Sequence, residues 1–178
     1  IAAATAAALD TATGADVVLD ESGGLQNGAT PAGAPGDLDD NDILLASLPS
    51  VFSTRLAALP GTGTAIGAAL SGYNGSNSGL DAFTINAGTA IVTDVKFVHE
   101  DGTLLNGQDS DIDTVSGQSI FLYTDSTNNN IVLGRVGSGA GGATPDAAGD
   151  IAFAAYIEET DTGGKIWMVQ YDPLLNPD

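Results

Sequence analysis

Two short runs of aspartate hold the densest candidate chemistry in this sequence: Asp37-Leu38-Asp39-Asp40-Asn41-Asp42 and Asp109-Ser110-Asp111-Ile112-Asp113. Carboxylate oxygens one or two residues apart are the usual protein ligands for Ca²⁺, a hard cation that takes several oxygens at once. Asp37, Asp39, Asp40, Asp42, Asp109, Asp111 and Asp113 are therefore candidate calcium ligands. Asp16, Asp20 and Glu21 are further candidates near the N-terminal junction. Neither run fits an EF-hand loop. Counting from Asp109, the sixth position is Thr114 where glycine is needed, and the twelfth is Ile120 where a bidentate glutamate is needed. Counting from Asp37, those places hold Asp42 and Leu48. A Gly-Gly-x-Gly-x-Asp calcium repeat is also missing. The expectation is that calcium sits in irregular loops and the remaining acids are solvated charge.

Other chemistry is sparse. His99 is the only histidine, and it precedes Glu100-Asp101-Gly102, a turn signal where an exposed polar residue is ordinary. Glu158 and Glu159 are adjacent, and on a strand adjacent side chains point to opposite faces, which does not suit paired acid and base roles. Trp167, Tyr123, Tyr156 and Tyr171 could stack on a sugar, although single strand aromatics more often serve the core. No Gly-x-Ser-x-Gly elbow, His-Glu-x-x-His or phosphate loop occurs. The chain is expected not to be an enzyme.

The whole sequence sets these residues in an acidic, cysteine-free background of 178 residues, with 23 acids against 4 bases and a net charge of −19. Such an imbalance repels itself unless water or bound cations offset it. Arg55, Lys96, Arg135 and Lys165 cannot neutralise a phosphate track, so nucleic acid is not an expected partner. No apolar run approaches the roughly 20 residues of a membrane span. Without cysteine there are no disulfides, thiolate metal sites or thiol nucleophiles. Residues 1–9 lack the basic start of a signal peptide, and the chain reads as an excerpt of a longer polypeptide.

The elements follow from periodicity and turn residues. Residues 1–15, rich in alanine and threonine, read as a linker, an N-terminal flank or a helix by propensity, and 16–178 as a single domain. Val17–Leu19, Ile43–Leu45 and 64–70 read as strands, with 21–42 as a long polar loop. Ser50–Leu59 reads as a short helix, Ser50 as its N-cap and Pro60-Gly61 as its stop. Further strands are expected over 82–86, 91–99, 119–124, 130–136, 150–158 and 165–171, with a turn at Asn106-Gly107. Residues 137–149 read as a flexible, glycine-rich connector. In the 151–157 segment, Ile151, Phe153, Ala155 and Ile157 are expected on one side, and Ala152, Ala154 and Tyr156 on the other. Strands apolar on both alternations point to an all-β fold, an antiparallel β-sandwich with long loops and one short helix.

Several stretches resemble a known family. They are Val17-Val18-Leu19-Asp20-Glu21-Ser22-Gly23-Gly24-Leu25, Gly36 to Asp42, Ser119-Ile120-Phe121-Leu122-Tyr123-Thr124-Asp125 and Asn130 to Val136. Two closing stretches, Ile151 to Ile157 and Trp167-Met168-Val169-Gln170-Tyr171-Asp172-Pro173-Leu174, complete the set. Together they resemble the "split domain" of giant repeats-in-toxin (RTX) adhesins of Gram-negative bacteria. The resemblance implies a β-sandwich scaffold, stabilised by Ca²⁺, that positions neighbouring domains of the same polypeptide. It also implies type I secretion, extracellular display on the bacterial surface, and roles in cell adhesion and biofilm. A ligand-binding domain inserted within 137–149 would meet host or biofilm glycan or protein, and the module itself would be monomeric. The alternative is a module that itself binds glycan or peptide through the 21–42 or 71–80 loops.

Overall fold

The computed structural model describes residues 8–19, 43–74, 77–86 and 94–175. Eight strands are present among them: β1 (Ala8–Thr11), β2 (Gly67–Leu70), β3 (Phe83–Asn86), β4 (Asn106–Asp113), β5 (Ser119–Thr124), β6 (Ile131–Val136), β7 (Ile151–Glu159) and β8 (Gly163–Gln170). Every strand pairing is antiparallel, in the order β1-β3-β8-β7-β6-β5-β4. The side of β8 away from β7 is shared: β3 pairs with Gly163 and Gly164, and β2 pairs with the stretch from Trp167 to Gln170. The all-β, antiparallel expectation therefore holds. The described strands form one hydrogen-bonded sheet, covered on one face by a helix.

That helix, α1 (Ser50–Ala58), forms where the sequence places it. Phe52, Leu56 and Leu59 recur at the spacing of one helical face, and all three are buried. The cap differs from expectation. Pro49 occupies the N-cap position, Ser50 is the first helical residue, and the first helical bond runs from the Ser53 N–H to the Pro49 carbonyl at 2.9 Å. Proline at the cap supplies an acceptor but no side-chain bond, so Ser50 has no capping role. The stripe packs on Ile131 and Leu133 of β6, Ile151 and Ala154 of β7, and Val169 of β8. Phe52 stacks on Tyr156 with ring centroids 5.4 Å apart. The opposite face holds a smaller cluster of Ile120, Val136, Ala152 and Phe153. With apolar contacts on both faces, all six residues of β6 are buried.

One bulge corrects the expected facing of β7. Gly134 pairs with Phe153 and Arg135 with Ile151, which leaves Ala152 without a partner on β6. Its carbonyl instead accepts the N–H groups of Tyr171 and Asp172 at 2.7 and 3.1 Å. The skipped residue moves Ile151 to the helix side with Ala154, while Ala152 joins Phe153. Strict alternation cannot anticipate this, because the extra residue is set by the neighbouring strand.

Other boundaries moved as well. Val17–Leu19 is not a strand, while Ala8–Thr11, inside the stretch read as flank or helix, pairs with β3. Ile43–Leu45 is not a strand: 43 and 44 are irregular, and a helical turn starts at Leu45 and runs to Ser47. Of 91–99, the described part contributes only an isolated bridge, Val98 to Leu104, across the Glu100–Gly102 turn. Asn106-Gly107 lies inside β4, where Gly107 at φ +83° marks a register shift. The 137–149 connector is pinned rather than loose: Ser138 and Thr144 exchange backbone bonds of 2.8 and 3.1 Å around a short helical turn.

Candidate functional site

The expected calcium ligands separate into two groups. Asp20, Glu21, Asp37, Asp39, Asp40 and Asp42 lie outside the described residues. Asp16 is exposed, and its backbone carbonyl, rather than its carboxylate, accepts the Gly72 N–H at 2.9 Å. Asp109, Asp111 and Asp113 do not occupy a loop. They lie along β4, the last strand of the sheet, where one carboxylate, Asp109, is bonded to the Asp111 N–H at 3.0 Å. Among the described residues, no three acidic or histidine side chains gather closely enough to form a cation cage. Charge on an edge strand has a different physical use. It discourages another strand from pairing there, and the distorted backbone at Asp111 (φ 58°) adds to that effect. Further along the same edge, the Leu175 N–H bonds to the Asp113 carbonyl and the Val115 N–H to the Pro173 carbonyl.

The residues weighed for catalysis are bound into the framework. His99 closes the turn through its backbone, accepting from Gly102 and donating to Thr103. Beside it, the Thr103 hydroxyl and N–H hold the Asp101 carboxyl below its ordinary value. Glu158 accepts the indole N–H of Trp167 at 2.8 Å. Glu159 accepts the Val95 N–H at 2.7 Å and the Asn130 amide at 3.0 Å. The two glutamates thus serve different partners, as their adjacency on a strand requires.

The strongest polar centre was not anticipated. Asp125, at the end of β5, is buried and accepts Arg55 from α1 in three contacts of 2.6 to 3.0 Å. The N–H groups of Thr127 and Asn128 add two more bonds, at 3.1 and 2.8 Å. Burial pushes the Asp125 carboxyl up, but Arg55 and these two N–H groups outweigh it and hold the carboxyl below its ordinary value. Asp125-Ser126-Thr127 carries a local signal, since an aspartate commonly accepts the N–H two residues on. Nothing local points to Arg55, 70 positions away. Open grooves of about 640 and 610 Å³ flank this loop on its two sides.

The other cations are also engaged. Buried Arg135 donates to the Gly149 carbonyl at 2.6 Å, and burial pulls its guanidinium below the usual arginine range. Lys165 donates to the Ser78 carbonyl at 2.8 Å, and Lys96 pairs with Asp94 at 2.5 Å. Lys165 and Trp167 sit beside a smaller cavity of about 320 Å³, lined by Ile43, Leu44, Ser47, Leu70, Tyr73, Asn77, Ser78 and Trp167. Of the four aromatics weighed for stacking, Trp167 alone lines this cavity.

The chain matches no protein-family model, no curated protein and no solved structure. Among the described residues, no helix is long and apolar enough to cross a membrane.

Proposed function

We propose that this chain is a structural module of a secreted or surface-displayed bacterial adhesin of the RTX type, positioning neighbouring domains of the same polypeptide. The observation that carries the reading is the use of its four basic residues. Arg55 ties α1 to the β5–β6 loop, Arg135 ties β6 to the 149 turn, and Lys165 ties β8 to the 71–80 loop. Lys96 pairs with its near neighbour Asp94. Each cation is thus engaged by a group of the chain itself, while the outward-facing acids have almost no counter-charge. That division suits a rigid, acidic spacer in a salt-rich exterior better than a site that works on a substrate.

Calcium enters this reading through the acid excess and the resemblance, with Asp109, Asp111, Asp113 and the acids of 16–42 as its candidate ligands. A ligand that binds only the folded state raises the melting temperature by mass action. Thermal melts in Ca²⁺, in Mg²⁺ and in EDTA at constant ionic strength should show a rise specific to Ca²⁺; identical curves overturn the calcium role. Antibody raised to the module should label intact, unpermeabilised cells of the source bacterium. Labelling only after permeabilisation would refute surface display.

A further inference from the structure

The 320 Å³ cavity beside Trp167 has a composition that the scaffold role does not use. Trp167 packs on the main core cluster and also lines the cavity, as does Tyr73. The indole is fixed from two directions. Its N–H is held by Glu158, and its strand neighbour is Tyr156, which is itself stacked on Phe52. The rim is equally set: the Asn77 amide donates to the Gly72 carbonyl at 2.8 Å and accepts the Gly79 N–H at 3.0 Å. The hydroxyls of Ser47 and Ser78 face no such commitment among the described residues. The result is a cavity lined by a held indole, a second aromatic residue packed on the core, and two serines.

We propose that this cavity binds a single neutral sugar ring. Aromatic walls accept the C–H face of a pyranose, and the rim hydroxyls of Ser47 and Ser78 can exchange hydrogen bonds with its hydroxyl groups. Charge selects the neutral class. A net charge of −19 repels uronic or sialic acids. The Lys165 ammonium, 2.8 Å from the carbonyl of the lining residue Ser78, opposes an organic cation in the cavity. A volume at the small end of ligand pockets suits one ring rather than an extended chain. This adds a binding role to the positioning role, and it stands or falls separately from surface display and calcium.

Trp167 is the only tryptophan, so in the folded chain its emission comes from a residue that lines this cavity. The full chain is titrated with the methyl glycosides of glucose, galactose, mannose and xylose and with N-acetylglucosamine. Glucuronate, choline and the tripeptide Ala-Leu-Ala serve as controls. At least one neutral sugar should give a saturable change, with Kd on the order of 1–10 mM for so few contacts. Tyr73→Ala should weaken it by about tenfold or more, the scale of one lost aromatic contact. Ser47→Leu, an exposed rim change that fills the mouth without touching the core, should abolish it and covers the case in which Tyr73→Ala fails to fold. No saturable response to any neutral sugar from the folded chain overturns the proposal. So does a response unchanged by Ser47→Leu, or saturation by choline, glucuronate or the tripeptide instead.

Discussion

Replacing Arg55 by methionine tests how far one buried ion pair fixes the helix on the sheet. The Asp125 side chain is 2% exposed and that of Arg55 21%, so the carboxylate bears most of the desolvation. Arg55→Met keeps the aliphatic stem but leaves the charge with two backbone N–H groups. Removing one partner of a buried pair costs about 3–5 kcal/mol, and the partly open side of Arg55 places this case near 3 kcal/mol. For a domain of this size that is a fall in Tm of about 6–12 °C. Asp125→Asn keeps an acceptor for the two N–H groups and leaves the less buried cation behind, at about 2 kcal/mol. The double variant should cost less than the sum, with a coupling of about 2 kcal/mol. Urea denaturation followed by Trp167 emission measures all four corners of the cycle.

The pH dependence gives the cycle a sign. The folded Asp125 carboxyl is held below its ordinary value, so the stability it contributes is present above about pH 3.9 and lost as pH falls through the folded value. In Arg55→Met, burial acts against fewer opposing bonds and the carboxyl titrates higher. The gap between wild type and variant should therefore be full at pH 7, begin to narrow as pH falls through the variant's higher value, and close only below the depressed value of the wild type. A cost for Arg55→Met under about 1 kcal/mol, the value of a surface pair, would refute the reasoning. A gap that does not change with pH would do so as well.

Two further outcomes follow from buried polar groups. The Ser71 hydroxyl is fully buried, donates to the Leu80 carbonyl at 2.6 Å and accepts the Ile166 N–H at 3.1 Å, so Ser71→Ala should cost about 1–3 kcal/mol in the same urea assay. A neutral result there would mean that both groups find other partners. Burial pushes the Tyr171 phenol up to about 12, so its contribution is complete below about pH 10 and is lost as pH rises toward 12. Between pH 9.5 and 11.5 the wild type should lose more stability than Tyr171→Phe, and phenolate absorbance should show one tyrosine fewer titrating late in the variant. Parallel losses in the two proteins would contradict the assignment.

Much of the framework was legible from local pattern. Ser119–Thr124 forms the strand expected there, and the helix ends just before Pro60-Gly61, its expected stop, with Phe52, Leu56 and Leu59 on its buried face. Both are short-range signals, carried by residues that meet the same surface. The errors share another cause. Ile43–Leu45 is apolar enough for a strand, but among the described residues only its Ile43 N–H bonds to a strand residue, the carbonyl of Ala68, and the chain then enters a helical turn from Leu45. The Asp109–Asp113 run was expected in a loop but lies extended at a sheet edge, because β5 supplies its hydrogen bonds.

By itself, the sequence determined the composition of the surface and the class of fold: 23 acids against 4 bases, and antiparallel strands apolar on both alternations. Both depend on sums and on neighbours one to four residues apart. The tertiary structure alone decided which acids are framework and which are surface. Asp125 and Asp113 look alike in the chain, yet one is clamped by an arginine 70 positions away and the other lies along an edge. It likewise decided that Trp167 shares a cavity with Tyr73, on a loop 94 residues earlier (167 − 73). Such pairings depend on strand order and register, which are settled by burial across the whole sheet and leave no trace in local spacing.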